Sequence, residues 1–216
     1  MSISKTIIPV TPFQQNCSIL VCEQSNKAAL VDPGGDVETL LQALDKLQVE
    51  PEKIFLTHGH MDHCGGADAL RERLGLPIEG PHESDRFWID QLPKWSEAVG
   101  MPPSPPFEPD RWLQQGDTVT FGEQQMSVLH CPGHTPGHVV FFLEAARLAL
   151  VGDVLFQGSI VRTDFPMGDH DTLVQSIRER LWPLGDDIDF VPGHGPMSTF
   201  GQERRTNPFV ADQRYG

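Results

Sequence analysis

The sequence predicts an α+β chain in which two β-sheets pack face to face with helices on the outside. Apolar runs of strand length recur throughout, while helical periodicity is confined to a few segments between them. Four of the apolar runs end in a Gly- or Pro-containing turn that presents His or Asp, so the strand ends share a chemical theme. With 216 residues the chain is long enough to bury a substantial core, and residues 1–216 are read as one domain.

Taken in order, Ile3 to Pro12, Asn16 to Cys22 and Lys27 to Asp32 form an opening meander, halted at Pro33-Gly34-Gly35. Asp36 is placed to cap a helix whose apolar positions Val37, Leu40, Leu41, Leu44 and Leu47 follow helical spacing and stop before Pro51. Lys53 to Leu56 is the next strand, followed by a short helix around Ala67 to Leu74 that closes at Gly75. Pro77 to Gly80 adds a short strand, and a helical region runs from about His82 to Leu92. The stretch from Gly100 to Pro109 holds five prolines, which remove backbone donors; it is expected as an ordered surface excursion, with a place at a substrate mouth left open. Asp117 to Phe121 pairs with Gln125 to His130, and His138 to Leu143 with Arg147 to Val151, as two hairpins. Asp171 to Leu181 is amphipathic through Leu173, Val174, Ile177 and Leu181, and Asp187 to Val191 is the last clear strand.

Composition narrows the function. The formal net charge is −14, from 30 acidic and 16 basic residues with no Lys/Arg block, which argues against nucleic acid as a partner. No apolar run reaches membrane-spanning length, and the start of the chain lacks the apolar core of a signal peptide. Cys17, Cys22, Cys64 and Cys131 show no CxxC spacing and read as reduced thiols of a cytoplasmic protein.

The chemistry concentrates in Thr57-His58-Gly59-His60-Met61-Asp62-His63, directly after an apolar strand. In extended chain His58 and His60 point the same way; a turn into helix then brings Asp62 and His63 toward the same place, so the spacing suggests two metal ions. Two histidines two apart cannot share a helix face, which sets the motif apart from helical HExxH. The same strand-end pattern returns at Cys131-Pro132-Gly133-His134, Gly152-Asp153 and Pro192-Gly193-His194, making His134, Asp153 and His194 further candidate ligands.

The order HxHxDH, then His, Asp and His, strongly resembles the metallo-β-lactamase superfamily, from Asp32-Pro33-Gly34-Gly35 to His194. The resemblance implies a four-layer αββα sandwich with its site at one edge. It assigns His58, His60 and His134 to one metal, Asp62, His63 and His194 to a second, and Asp153 to a bridging position. True β-lactamases of the fold lack that aspartate, so Asp153 argues against their activity. Thr57 to His63, Cys131 to His138, Gly152-Asp153 and Pro192 to Pro196 most resemble the short bacterial hydroxyacylglutathione hydrolases of the glyoxalase II type. Classical members add a C-terminal helical domain, whereas here some twenty residues follow His194. Tyr215 is the only tyrosine, so their tyrosine contacts to glutathione have no counterpart in the core.

The resemblance and the donor set together lead to hydrolysis of a thioester such as S-lactoylglutathione by a metal-bridging hydroxide, with Asp62 also taking up a proton. Zinc suits the ligands, although iron or manganese also would. Asp32 is expected to hydrogen-bond and orient a ligand or its loop, and His138 to stand behind one. Arg162 is a candidate for a substrate carboxylate or for a nearby acid, in a segment, Arg162-Thr163-Asp164-Phe165, that resembles a substrate-side loop of thiol-handling relatives. Three alternatives remain at this point. A persulfide dioxygenase of this fold would use one iron on the equivalents of His58, His134 and Asp153; another hydrolase of the fold would open lactones; a non-enzymatic metal-binding module would keep the ligands without turnover.

Overall fold

A computed structural model describes residues 2–215. The apolar meander becomes β1 (Ile3–Val10), β2 (Gln15–Cys22) and β3 (Lys27–Val31), each antiparallel to the next. Helix α1 (Val37–Leu47) crosses back so that β4 (Glu50–Phe55) adds parallel to β3. After β4 come α2 (Met61–Cys64) and α3 (Ala67–Leu74), and β5 (Ile78–Glu79) closes a sheet of order β1-β2-β3-β4-β5. Helices α4 (Arg86–Asp90) and α5 (Leu92–Ala98) lie beyond it.

The second sheet contains β6 (Thr118–Phe121), β7 (Gln124–His130), β8 (Val139–Leu143) and β9 (Leu148–Gly152), joined by the two expected hairpins and the pairing between them. A two-strand ribbon, β10 (Leu155–Phe156) with β11 (Ser159–Ile160), follows. Helix α6 (His170–Ser176) then carries the chain to β12 (Asp189–Pro192), parallel to β9, and β13 (Ser198–Thr199) makes the edge in the order β13-β12-β9-β8-β7-β6. Helices α7 (Phe200–Thr206) and α8 (Asp212–Tyr215) end the described chain.

Strand alternation explains the layers. Leu20, Ala29, Val31 and Phe55 face Val128, Phe141, Leu150 and Val191 in a core between the sheets, where Phe55 meets Phe141 at 5.4 Å between ring centroids. The intervening residues Ile19, Val21, Leu30 and Ile54 point outward and are covered by Leu40, Leu44, Leu70 and Leu92. On the other side Val140, Phe142, Val151 and Phe190 are covered by Leu173, Ile177, Leu181 and Phe200. The expected αββα sandwich is therefore present. Because both faces of the inner strands are buried, they read in sequence as continuous apolar runs.

Local expectations differ in instructive ways. Asp36 precedes α1, but its side chain makes no cap; it sits in the left-handed region (φ 49°), and its carboxylate instead accepts the backbone N–H of Thr11 at 2.7 Å. The region from His82 to Leu92 breaks into a 3₁₀ turn, α4 and the start of α5. The amphipathic segment ending at Leu181 begins at Asp169, whose carboxylate accepts the N–H of Thr172, and its second half, Ile177–Leu181, widens into a π turn. The proline-rich stretch is held by Ser104, which donates to Gly65 O at 3.1 Å, and by buried Phe107.

Candidate metal centre and its cavity

β4 ends at Phe55, and Asp32 N donates to Phe55 O, so the first turn and the histidine motif leave the sheet side by side. From that point the chain extends through His58 and His60 and enters the one-turn helix α2, which carries Asp62 and His63. His134 lies on the turn between β7 and β8, Asp153 directly follows β9, and His194 follows β12 after Gly193. All seven sequence candidates come together at this edge. Among the described residues three groups have ligand atoms within 4.8 Å of one another: His58, His60 and His134; Asp62, His63 and His194; and Asp32, His58 and His63, the last tied together by the hydrogen bond from His63 to Asp32.

Asp153 lies between the first two groups. Its Oδ2 is 3.7 Å from Nε2 of His134 on one side and 3.7 Å from Nε2 of His194 on the other, while Oδ1 is 3.4 Å from Nε2 of His63. Gly193 permits that approach, since a Cβ there would come within 2.1 Å of Asp153 Oδ1.

The outer nitrogens of His58, His63, His134 and His194 are fixed so that Nε2 faces inward. His134 Nδ1 donates to Arg162 O at 2.8 Å and His194 Nδ1 to Phe13 O at 3.1 Å. His63 Nδ1 donates to Asp32 Oδ2 at 2.9 Å. Asp32 also accepts the N–H and hydroxyl of Thr57, whose Oγ lies 3.0 Å from His58 Nδ1. His138 Nε2 accepts the Asp153 N–H at 3.0 Å. Asp32 thus bonds one candidate ligand directly and approaches another through Thr57, and His138 bonds the backbone of Asp153.

Apart from His194 Nε2, which lies 3.1 Å from Asp62 Oδ2, the inward atoms make no hydrogen bond. Nε2 of His58, His60, His63 and His134 and Oδ1 of Asp153 are buried without a hydrogen bond. An orphaned buried nitrogen or carboxylate oxygen is costly unless something absent from the protein atoms satisfies it, and imidazole with carboxylate is a donor set that divalent ions take. The residues present therefore fit divalent metal ions. Electrostatics agrees. Burial pushes the Asp153 carboxyl up, but His63, His134 and His194 outweigh it and hold the group well below the usual carboxylate range. Burial lowers His63, but Asp153 and Asp62 outweigh it and keep the ring well above its ordinary value. Burial and neighbouring histidine charge push His60 down to about 3, so it presents a neutral lone pair.

A cavity of about 490 Å³ opens over these groups. Beside the candidate ligands it is walled by Phe13, Trp88, Trp95, Phe156 and Phe165, with Arg162 at its border. Trp88 meets His60 edge-on at 4.3 Å, and Phe165 meets the same ring at 5.2 Å. The guanidinium of Arg162 is paired with Asp164 through two bonds of 2.6 Å and lies 4.5 Å from the Phe165 ring centroid, so of its two expected partners the structure shows the acid. The proline-rich stretch borders a different groove, with Gly34, Gly35 and Gly65.

Several residues of the site escaped the sequence reading. Trp88 and the buried Asp85 belong to the broken helical region, Phe156 to a ribbon too short to show periodicity, and Gln15 Nε2 sits 3.4 Å from His63 Nδ1. Only Trp88, in the apolar run Phe87-Trp88-Ile89, carried a local signal.

Comparison with known proteins agrees with this geometry. A family signature described as the metallo-beta-lactamase superfamily matches residues 10–194. The hydroxyacylglutathione hydrolase GloC of Haemophilus influenzae is 47% identical over 205 residues, covering 94% of this chain and 96% of that protein. The solved BLEG-1 B3 metallo-beta-lactamase superposes with a TM-score of 0.89 at 38% identity, over 96% of this chain and 99% of the other. TTHA1623, solved in a di-iron-bound form, superposes with a TM-score of 0.86 at 36% identity, over 95% and 100% of the two chains.

Proposed function

The chain belongs to the metallo-beta-lactamase superfamily, and from that premise we propose that it is a metal-dependent hydrolase that cleaves hydroxyacyl thioesters of glutathione, S-lactoylglutathione foremost, to the hydroxy acid and the thiol. The carrying observation is the convergence of four unpartnered imidazole nitrogens and one unpartnered carboxylate oxygen at the floor of a cavity. The 47% identity to a hydroxyacylglutathione hydrolase supports this substrate class. In this reading residues 1–216 act as one domain, in the cytoplasm, on a small molecule.

His58, His60 and His134 would hold one divalent ion and Asp62, His63 and His194 a second, and Asp153, placed between the two groups, would serve both; zinc suits this donor set. Bound ions of this kind supply Lewis acidity at an oxygen and lower the pKa of water toward neutrality. The protein's own groups do the rest. Asp32, Thr57 and the carbonyls of Arg162 and Phe13 fix the tautomers of His63, His58, His134 and His194, so these four rings do not have to turn during reaction. Water adds to the thioester carbonyl carbon, the C–S bond breaks, and sulfur leaves with the electron pair. Asp62, whose Oδ2 is 3.1 Å from His194 Nε2, receives the proton. A thiol has a pKa of about 8.5, so the leaving group needs no dedicated acid. The aromatic wall excludes bulk water and receives the apolar parts of the substrate.

The test is hydrolysis of S-D-lactoylglutathione by protein of measured metal content, beside Asp153→Asn and with a penicillin as control. Turnover that is lost in a folded Asp153→Asn variant supports the reading. Retained turnover in that variant, or preference for the penicillin, overturns it.

A further inference from the structure

Asp85 is a fully buried carboxylate that lies outside both ligand groups. Its Oδ2 accepts the Gly59 N–H at 2.8 Å and the Thr135 hydroxyl at 2.7 Å, and its Oδ1 accepts the Gly137 N–H at 2.5 Å. Gly59 separates His58 from His60; Thr135 follows His134. One side chain therefore joins the loop from the first sheet to the loop from the second, and its bonds to Gly59 and Thr135 fall next to the residues of one group.

The packing around Asp85 is equally specific. A Cβ on Gly59 would come within 2.9 Å of Trp88 Cβ and 3.0 Å of Asp85 O. One on Gly137 would come within 2.6 Å of Asp85 N, Asp85 Oδ1 and His82 O. Both loops are thus pressed against the turn that carries Asp85, and His82 N donates to Gly137 O in the same place. A buried carboxylate that accepts three bonds is hard to replace, because every donor it satisfies would be left orphaned.

Resting on the two-ion reading above, we propose that Asp85 is a positioning residue for the His58, His60 and His134 group alone: it sets the distance between the two loops that supply those three ligands, and so selects the affinity of one ion of the pair. A carboxylate serving only the general stability of the fold would have no reason to separate the two ions.

Chelator competition with the zinc-loaded chain and its Asp85→Asn variant tests this, since it reads two binding affinities directly. The expected result is an affinity for one ion lower by about 10- to 100-fold, the usual loss when a ligand's support is removed, with the other ion unchanged. In a His194→Ala background, where the second group is crippled, Asp85→Asn should still weaken the remaining ion; in a His134→Ala background it should add little. Equal weakening of both ions, or of neither, overturns the proposal. Should Asp85→Asn fail to fold, Thr135→Val removes one of the three bonds and keeps the carboxylate: a smaller weakening confined to the same ion supports the proposal, and unchanged affinities overturn it. A wild-type chain that holds only one ion defeats the two-ion reading separately. Asp85→Asn is then read on that single ion: weakening that disappears in a His134→Ala background supports the proposal, and no change, or the same weakening in that background, overturns it.

Discussion

Nδ1 of His63 lies 2.9 Å from Oδ2 of Asp32, and both groups are buried. The same carboxylate takes the N–H and hydroxyl of Thr57, so one side chain orients His63 directly and His58 through Thr57. Replacing Asp32 by Asn substitutes an amide donor for one of its acceptor oxygens. The expected outcome, measured by chelator competition, is a loss of about 10- to 100-fold in affinity for the ion that Asp62, His63 and His194 would hold, with a smaller loss, through Thr57 and His58, for the ion of the other group.

Phe165 lines the cavity and meets His60 and His134 edge-on at 5.2 Å and 5.9 Å without being a candidate ligand. Phe165→Ala removes apolar wall from the substrate and leaves the reacting groups in place. KM for S-D-lactoylglutathione should rise by about 3- to 10-fold while kcat changes little, as expected for the loss of about 1 kcal/mol of apolar contact. A fall in kcat with unchanged KM would place Phe165 in the chemistry instead.

Removing the metal should soften the whole fold. Ions at one hundred times their dissociation constant stabilise a chain by about 2.7 kcal/mol per site, and for a chain of this size that corresponds to about 5–10 °C in Tm. Differential scanning calorimetry of loaded and stripped protein reads the difference, and identical melting curves would count against ion binding at these residues.

Stripped protein should also lose stability on acidification. The buried rings of His58, His60, His134 and His138 have pKa values lowered from 6.5 chiefly by burial, His60 to about 3. Once the pH falls below 6.5 the unfolded chain binds protons that the folded chain refuses, so stability present above 6.5 drains away as pH falls toward the folded pKa values. Three groups act in the opposite direction. Asp85, pushed up by burial to about 6, does so between about 6 and its ordinary 3.8. Burial lowers His63 and His194, but neighbouring carboxylates outweigh it and raise them, so that their contribution is gained mainly as pH falls to 6.5. Below 6.5 the four lowered rings set the slope. Urea melts of stripped protein from pH 7 to pH 5 should therefore show a falling midpoint.

Much of this site was legible because strand-end ligands leave a strong local mark. His58, His60, Asp62 and His63 stand in six consecutive positions, and the Gly-flanked His134, Asp153 and His194 repeat the same strand-then-turn grammar. What the sequence hides is whatever depends on a distant partner. Asp36 looks like a helix cap, yet its carboxylate is committed to Thr11 N, 25 positions away. Asp85 stands among His82, Glu83, Ser84 and Arg86, a run with the composition of a surface turn, and only the packing of two remote loops around it buries the carboxylate. The ribbon of β10 and β11 is two residues per strand, below the length at which alternation can be seen.

Each candidate ion group draws on both sheets: His58 and His60 follow β4 while His134 follows β7, and Asp62 and His63 follow β4 while His194 follows β12. Bound ions would therefore act as cross-links between the two halves of the sandwich, in a chain whose four cysteines are all buried and free. Like any cross-link, such a pair narrows the freedom of the unfolded chain only if it survives unfolding; if it does not, it holds the halves together at this edge while they are folded and releases them together. The edge that binds substrate would then also be the seam along which the two sheets come apart.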